Sequence, residues 1–521
     1  VSNELHHQSA SQLAQRIAAG EISSAEVIEA HIARIEAVNP KINAVVVKRY
    51  EAARAEAREA DAKRARGETL PALHGVPVTI KDSIDVAGLP STFGISTRAA
   101  HCADADEVHV ARLRAAGAIV LGKTNVSQCL FYTEADNPLY GRTLNPWNAA
   151  RTSGGSSGGE GAIIAAGGSP MGLGTDIGGS VRTPAAFCGI ASLKPTSGRM
   201  DDMGAYSVDP GQRAVPSQVG VLARRVEDVA LGFSIAAANP QRADLPALIA
   251  PASVNLGKLR VAFYVSDGSF DTAPAVQRAV REAAQALRSV GASVNEWMPP
   301  GVPEANAVFG GLLTADGGAH IKKILIGNPH TPQIKQLLAG ASLPGFLVPM
   351  LRSLLRALGQ NGIAYNLGAF GPPTAARYFS LVQEQLRYQR EFSDALNTAP
   401  GGPFDLILAP VSSLPAFTHG ATRDLLTAGA YAPLYNLLGY PAGVVPVTRV
   451  RAGEESRRAA SSDVLQKLAR KIEAGSAGLP VAVQVIARPW QEHVALAAMA
   501  AIEKCLATMP DYPQTPVEPV A

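Results

Sequence analysis

Apolar residues recur along this chain first at helical spacing and then at strand spacing, and the alternation predicts its elements. Residues 9–38 read as two helices. The second opens at Ser23, whose hydroxyl can cap the chain while Glu26 reaches back, and Ile28, Ile32 and Ile35 follow on one face until Asn39-Pro40 is expected to stop it. A charged helix over 49–66 comes next. The β-like run 75–80 ends at Lys81, which places that lysine at a strand's carboxyl end, where open α/β sheets collect ligands. Asp106 can cap a helix through Ala116, Gly117 can end it, and 118–121 form a short apolar strand. Runs at 260–264, 274–289 and 292–294 repeat the unit, and 404–408, 444–447 and 481–486 add strands. The pattern predicts an α/β fold whose sheet draws on both ends of the chain.

Two stretches depart from it. Residues 334–358 gather Leu337, Leu338, Leu343, Phe346, Leu347, Leu351, Leu354, Leu355 and Leu358 around Pro344 and Pro349, which fits two short helices better than one span. A partly exposed apolar cap over 337–358 could guide a hydrophobic substrate or touch a membrane, with Arg352 and Arg356 four apart to meet anionic headgroups. Burial against the core or a second subunit is the competing reading. Residues 451–462 are polar and read as an exposed loop.

Composition changes this picture little. With 521 residues, 47% of them apolar and 17% charged, the chain can bury a large core, expected as one large domain with an elaboration. Its 47 basic and 44 acidic residues nearly cancel to +3 and leave no dense basic run, which argues against nucleic acid. Cys102, Cys129, Cys188 and Cys505 lack the pairing of zinc sites or disulfide scaffolds and suit free thiols in a reduced, cytoplasmic setting. Residues 1–20 show no signal-peptide order, and no run of 18 apolar residues occurs. A soluble or peripheral chain is expected.

Some motifs mislead. Gly117, Gly122, Lys123 and Thr124 satisfy a nucleotide-loop pattern, but the intervening residues read as a strand rather than a phosphate cradle. Gly154, Ser156 and Gly158 satisfy GxSxG, which keeps open a histidine-dependent α/β-hydrolase using His320, His419 or His493, although the residues before it make a poor strand. His74, His101 and His109 show no ligand spacing, so no metal is implied. The GGSSGG string resembles a flexible linker, yet ordered apolar sequence follows at once.

A more informative grouping is Lys81 in GVPVTIKDS, Ser156 in TSGGSSGGEG and Ser180 in TDIGGSVRTP. Paired glycines before Ser180 let the backbone bend and turn its amides toward a developing negative oxygen. Lys81 could act as base only when neutral, which requires its pKa to fall from about 10.4 toward roughly 7–8, a difference of about 4 kcal/mol. Ser156 can bridge the gap, taking a proton from Ser180 and passing one to Lys81. Nothing in this chemistry calls for a cofactor.

These segments resemble the amidase signature family, in particular its fatty acid amide hydrolase branch, through GVPVTIKDS, LGKTN, NPLYGRTLNPW, SGGSSGGEGA, GLGTDIGGSVR and FCGIASLKP, with similarity continuing through APLYNLLGYPAGVVPVT and GLPVAVQVIARPWQE. The resemblance implies a large mixed, twisted β-sheet covered by helices on both faces. It implies a catalytic domain over 71–510, an N-terminal helical region over 1–70, a cap at 334–358 and a tail at 511–521. It makes Ser180 the acylated nucleophile, Ser156 the bridge after a cis Gly155-Ser156 peptide, and Lys81 the terminal base and acid. The amides of Ile177, Gly178, Gly179 and Ser180 become the oxyanion hole, and Ser157, Asp176 and Arg182 match supporting positions. Leu130 and Phe131 match positions lining an acyl channel. The implied activity is hydrolysis of long-chain acyl amides or aryl acylamides, with esters as a secondary substrate, by a homodimer. A catalytically silent subunit of a larger assembly is the alternative from a different functional class.

Overall fold

The computed structural model describes residues 2–201, 211–239, 242, 244–425, 431–455 and 457–520. Val1, Ala521 and Ser456, which fall in the expected terminal segments and polar loop, lie outside the described residues.

One sheet of eleven strands organises the chain: β1 Val45–Lys48, β2 Pro77–Lys81, β3 Ile119–Thr124, β4 Met171–Asp176, β5 Ala191–Lys194, β6 Gln218–Ala223, β7 Arg260–Phe263, β8 Ser293–Glu296, β9 Leu406–Pro410, β10 Ala442–Arg449 and β11 Pro480–Ala487. Their spatial order is β1-β3-β2-β4-β6-β5-β10-β11-β9-β7-β8. The sheet is mixed: β2 runs parallel to β3 and β4, β7 parallel to β8 and β9, and the strands between them pair antiparallel. Successive side chains point to opposite faces of a strand. In β9, Leu406 and Leu408 accordingly join one core while Ile407 and Ala409 join another. The first core includes Leu13, Ile17 and Ile28 of the N-terminal helices, packed with Val78, Ile80 and Val120 of the sheet. Opposite it, Leu312, Tyr388, Phe392 and Tyr435 come from the helices Val302–Leu313, Ala375–Asn397 and Tyr431–Leu437.

Local chemistry shifts several expected boundaries. The helix Ser24–Ile42 passes through Pro40 and ends at Asn43, in the left-handed region at φ 50°. So near the C-terminus, proline removes one hydrogen bond from a turn that was about to end. Asn39 then ties down the exit: its Oδ1 accepts from the Ala44 and Val45 amides at 2.8 and 2.7 Å, which starts β1 in the gap between the two expected helical stretches. The helix Val108–Ala115 is capped by Glu107, whose carboxylate accepts from the His109 amide at 2.8 Å; Asp106 instead holds the Ala87 amide and Arg114. β3 extends past the expected strand to Thr124 because Gly122 leaves room for β1: a Cβ there would lie 2.3 Å from the Val47 carbonyl oxygen. The lysine of the nucleotide-loop pattern, Lys123, is spent on the Pro90 carbonyl and the Ser91 hydroxyl, both at 2.7 Å, and burial lowers its amine to about 8.

The stretch 334–358 contributes to two helices, Pro332–Ala341 and Leu347–Ala357. The outward face of the second is Phe346, Met350, Leu354 and Leu358, at 80, 60, 54 and 62% exposure. Leu351 and Leu355 are half-buried, and Arg352 turns inward to donate to the Ala364 carbonyl at 3.1 Å. Among the described residues no helix is long and apolar enough to cross a membrane. The tail returns to the body, where the Val517 amide donates to Ala165 and Glu518 meets Arg34.

Candidate active site

Lys81 is the last residue of β2 and is fully buried. Its Nζ donates to Ser156 Oγ at 2.7 Å, to Thr175 Oγ1 at 2.8 Å and to the Thr175 carbonyl at 3.3 Å. Thr175 belongs to β4, the parallel neighbour of β2, so adjacent strand ends supply both the lysine and its anchor. Ser156 lies in the turn between the hairpin strand Asn148–Thr152 and the helix Gly158–Ala165, and the Gly155–Ser156 peptide is cis.

Glycines allow this turn to sit where it does. A Cβ at Gly155 would lie 2.5 Å from the Glu134 nitrogen and 2.6 Å from the Tyr132 carbonyl oxygen; one at Gly159 would lie 2.3 Å from the Asn125 nitrogen. The Glu134 carboxylate straps the neighbouring loop to later chain, accepting from His419 Nδ1 at 2.9 Å, the Gly420 amide at 2.9 Å and the Thr422 hydroxyl at 3.0 Å.

Ser180 follows β4 through Ile177, Gly178 and Gly179 and precedes the helix Arg182–Cys188. Its carbonyl accepts from the Ser157 amide at 3.1 Å, which joins the two serine turns. Gly179 has φ +114°, and a side chain there would meet Ala432 Cβ at 2.7 Å, so the bend requires glycine. Beneath it, Asp176 accepts from the Gly179 amide at 2.7 Å, the Val181 amide at 3.2 Å and Arg182 at 3.0 Å. Arg182 also reaches the Ala432 carbonyl at 2.9 Å, Gln484 Oε1 at 3.1 Å and Asn436 Oδ1. Burial by itself would raise the Asp176 carboxyl, but the Arg182 charge and hydrogen bonds outweigh it and hold it well below the usual carboxylate range.

Two more buried groups border the site. Glu160 accepts from the Thr79 hydroxyl at 2.7 Å over Gly172, where a Cβ would collide with it, and burial raises its carboxyl to about 7. Burial lowers the Lys194 amine to about 7, with Arg182 adding to the effect.

Leu130 and Phe131 are half-buried, and Leu130 takes a left-handed φ of 61°. They pack with Ile334 and Leu337 of the first cap helix. Phe131 also lines a cavity with Leu313, Thr314, His320, Leu337 and Ala341. The structure thus brings Lys81 and Ser156 into direct contact, ties the Ser180 turn to them, and puts Phe131 against the cap. Of the histidines held open as partners of Ser156, His419 directs its ring nitrogens to Glu134 and the Ala149 carbonyl, and His320 lines the cap cavity. Sequence reasoning missed Thr175, Glu160, Asn436 and Gln484. All four lie inside the segments that carry the resemblance, and for Asn436 and Gln484 a polar residue amid apolar neighbours was the available signal.

A mixed sheet flanked by helices thus holds Lys81 and Ser156 in contact at its strand ends and joins the Ser180 turn to them through the backbone. The amidase family's sequence profile matches residues 26–496, and the chain belongs to the amidase signature family. It is 36% identical over 506 residues to fatty-acid amide hydrolase 1 of Sus scrofa, covering 95% of this chain and 85% of that protein. It is 32% identical over 510 residues to indoleacetamide hydrolase of Bradyrhizobium diazoefficiens, covering 95% and 86%. A solved structure of a fatty acid amide hydrolase superposes with a TM-score of 0.83 at 25% identity, covering 97% of this chain and 86% of that one. The chain is thus an amide hydrolase similar to fatty acid amide hydrolases.

Proposed function

We propose that this enzyme cleaves carboxylic amides through an acyl intermediate on Ser180, with Ser156 and Lys81 relaying the proton. The observation that carries the reading is the Lys81 Nζ–Ser156 Oγ contact of 2.7 Å at full burial, beside a turn whose backbone is bonded to that of Ser180. When Lys81 is neutral its two N–H groups stay on Thr175 and its lone pair turns to Ser156, so that it accepts a proton from Ser156 as Ser156 accepts one from Ser180. The Ser180 oxygen then attacks the carbonyl carbon, and the reversed relay protonates the departing nitrogen. Water repeats the attack on the ester and frees the acid. The amides of Ile177, Gly178 and Ser180 stabilise the oxyanion; the Gly179 amide, already held by Asp176 at 2.7 Å, serves mainly to fix the turn. Ser157, Asp176 and Arg182 support that turn. A fluorophosphonate probe tests the assignment, because intact-mass and peptide analysis should place a single adduct on Ser180. An adduct elsewhere overturns it.

The substrate class we assign is long-chain acyl amides or aryl acylamides, with esters as secondary substrates. Its support is the similarity to fatty acid amide hydrolase and the Phe131 cavity. We take residues 71–510 as the catalytic unit, with 1–70 as a helical region packed on it, 334–358 as its cap and 511–521 as its tail, and we assign it a cytoplasmic, homodimeric state. The exposed face Phe346, Met350, Leu354 and Leu358 is proposed as a peripheral membrane contact through which apolar substrate enters. Each buried methylene contributes about 0.8 kcal/mol, so kcat/KM is expected to climb from acetyl to decanoyl amides. Wild type is also expected to float with anionic liposomes, and Leu354→Glu/Leu358→Glu to stay behind. A flat acyl series removes the channel, and equal flotation of both proteins removes the membrane contact.

A further inference from the structure

One side of the helix Val302–Leu313 carries Asn306, Phe309 and Leu313, spaced three and four residues apart and therefore stacked in a stripe. Leu313 lines the cavity shared with Phe131. Phe309 lies over the oxyanion turn, its Cζ 3.0 Å from where a Cβ on Gly178 would be. Asn306, one turn further, is 9% exposed, yet neither its amide oxygen nor its amide nitrogen has a hydrogen-bond partner among the described residues.

Asp267 comes to the same place from the loop after β7. It is 7% exposed; its Oδ1 accepts from the Ser269 amide at 2.9 Å and the Ser269 hydroxyl at 2.5 Å, the Tyr431 hydroxyl lies against its carboxylate, and its Oδ2 makes no well-formed hydrogen bond among the described residues. Its backbone amide donates to the Tyr431 hydroxyl at 3.1 Å, and Tyr431 is the neighbour of Ala432, which meets Gly179. The Tyr365 hydroxyl donates to the Pro303 carbonyl at 3.3 Å, and the Asn306 and Ser269 side chains lie against its oxygen as donors, with Asp267 nearby. Among the described residues no ion pair links Asp267 to a lysine, arginine or histidine. Burial raises its carboxyl above the ordinary range.

The stripe therefore orders three environments: an apolar cavity at Leu313, the oxyanion turn at Phe309 and a polar, acceptor-rich group at Asn306. An amide whose carbonyl oxygen sits at the turn must send its acyl chain one way and its amine the other. We infer that Asp267, Asn306 and Tyr365 form a leaving-group subsite that takes the distal ammonium of an acylated diamine. Asp267 Oδ2 supplies a charged acceptor and Asn306 Oδ1 a second one for the N–H donors of an ammonium, with the Tyr365 hydroxyl beside Asn306. The overall reaction is hydrolysis: the C–N bond breaks, water supplies the hydroxyl of the acid and a proton to the departing nitrogen, and the diamine leaves. This inference rests on the Ser180 acyl-enzyme reading.

The test uses octanoyl amides of butylamine, aminobutanol and diaminobutane with the purified full chain at neutral pH. A charged hydrogen-bonded group predicts a preference of at least about tenfold in kcat/KM for the diaminobutane amide over the butylamide. Asp267→Asn, which keeps the turn's Oδ1 acceptor, is expected to bring that ratio close to one, and Asn306→Leu to lower it. Equal turnover of the three amides by wild type overturns the subsite, as does a parallel fall of all three in Asp267→Asn. An aminobutanol amide that matches or exceeds the diamine overturns the ammonium assignment. If Asp267→Asn does not fold, wild type decides by competition. Free diaminobutane should inhibit ester hydrolysis at roughly tenfold lower concentration than butylamine, and equal inhibition overturns the proposal. A fluorophosphonate adduct on Ser180 together with butylamide turnover shows that the catalytic reading stands when the subsite fails. An adduct elsewhere overturns both.

Discussion

Replacing Ser180 with alanine is expected to lower kcat/KM on any amide by on the order of 10⁵-fold, and Lys81→Met to do nearly as much. Such a loss corresponds to about 7 kcal/mol of transition-state stabilisation. In the proposed mechanism Ser180 bonds the acyl carbon, so its removal would leave only the proposed oxyanion amides and substrate binding. Lys81 is the end of the proposed relay, and methionine preserves its buried stem while deleting the amine that contacts Ser156 and Thr175. Ser156→Ala should cost less, because a water in the gap can carry the proton less efficiently. Groups that act as a unit are not additive, so the double variant Ser180→Ala/Lys81→Met should be no slower than Ser180→Ala alone. Circular dichroism and thermal unfolding of each variant separate chemistry from folding. A Ser180→Ala enzyme within tenfold of wild type would remove Ser180 from the mechanism. A double variant slowed by the product of the two single losses would show that Lys81 and Ser180 act independently.

The parts of this arrangement that sequence exposes are those whose chemistry is local. The capping pair Ser23 and Glu26 forms as read, with the Glu26 carboxylate accepting from the Ser23 amide at 2.8 Å. The strand leading to Lys81 and the glycine pair before Ser180 are equally legible, because period-two apolar runs and positive-φ turns leave marks on consecutive residues. Contacts between distant segments leave none. Nothing near Glu160 in sequence says that Thr79 lies beneath it, and Asn436 and Gln484 reach Arg182 from chain more than two hundred residues away. Adjacent acids show a third limit. Asp106 and Glu107 are equally plausible caps on paper, and only the position of Arg114 and the Ala87 amide assigns the first to a different task. The cap illustrates the same point in register: its leucines are plain in the sequence, but packing of the helix Leu347–Ala357 on its neighbours decides that Leu354 faces outward and Leu351 does not.

Disrupting the Asp176–Arg182 pair is expected to be the most damaging change that touches no reacting atom. Both side chains are fully buried and 3.0 Å apart, and between them they hold two amides of the Ser180 turn, the Ala432 carbonyl, Asn436 and Gln484. Removing one partner leaves an uncompensated buried charge, which costs about 3–5 kcal/mol, so Arg182→Met should unfold at markedly lower denaturant concentration than wild type. Asp176→Leu should lose stability on the same scale and, in the molecules that remain folded, turnover as well, since the Gly179 and Val181 amides lose the acceptor that sets the turn. The double variant Asp176→Leu/Arg182→Met separates the two effects. With both charges gone, part of the lost stability should return, because a buried ion pair can be replaced by apolar side chains at little net cost. Turnover should not return, because the turn amides are still unheld and the oxyanion donors depend on their position. Recovery of turnover together with stability would show that the pair serves folding alone. A loss below about 1 kcal/mol for Arg182→Met, within the range typical of a surface ion pair, would mean that the pair does not carry the buried charge the structure assigns to it.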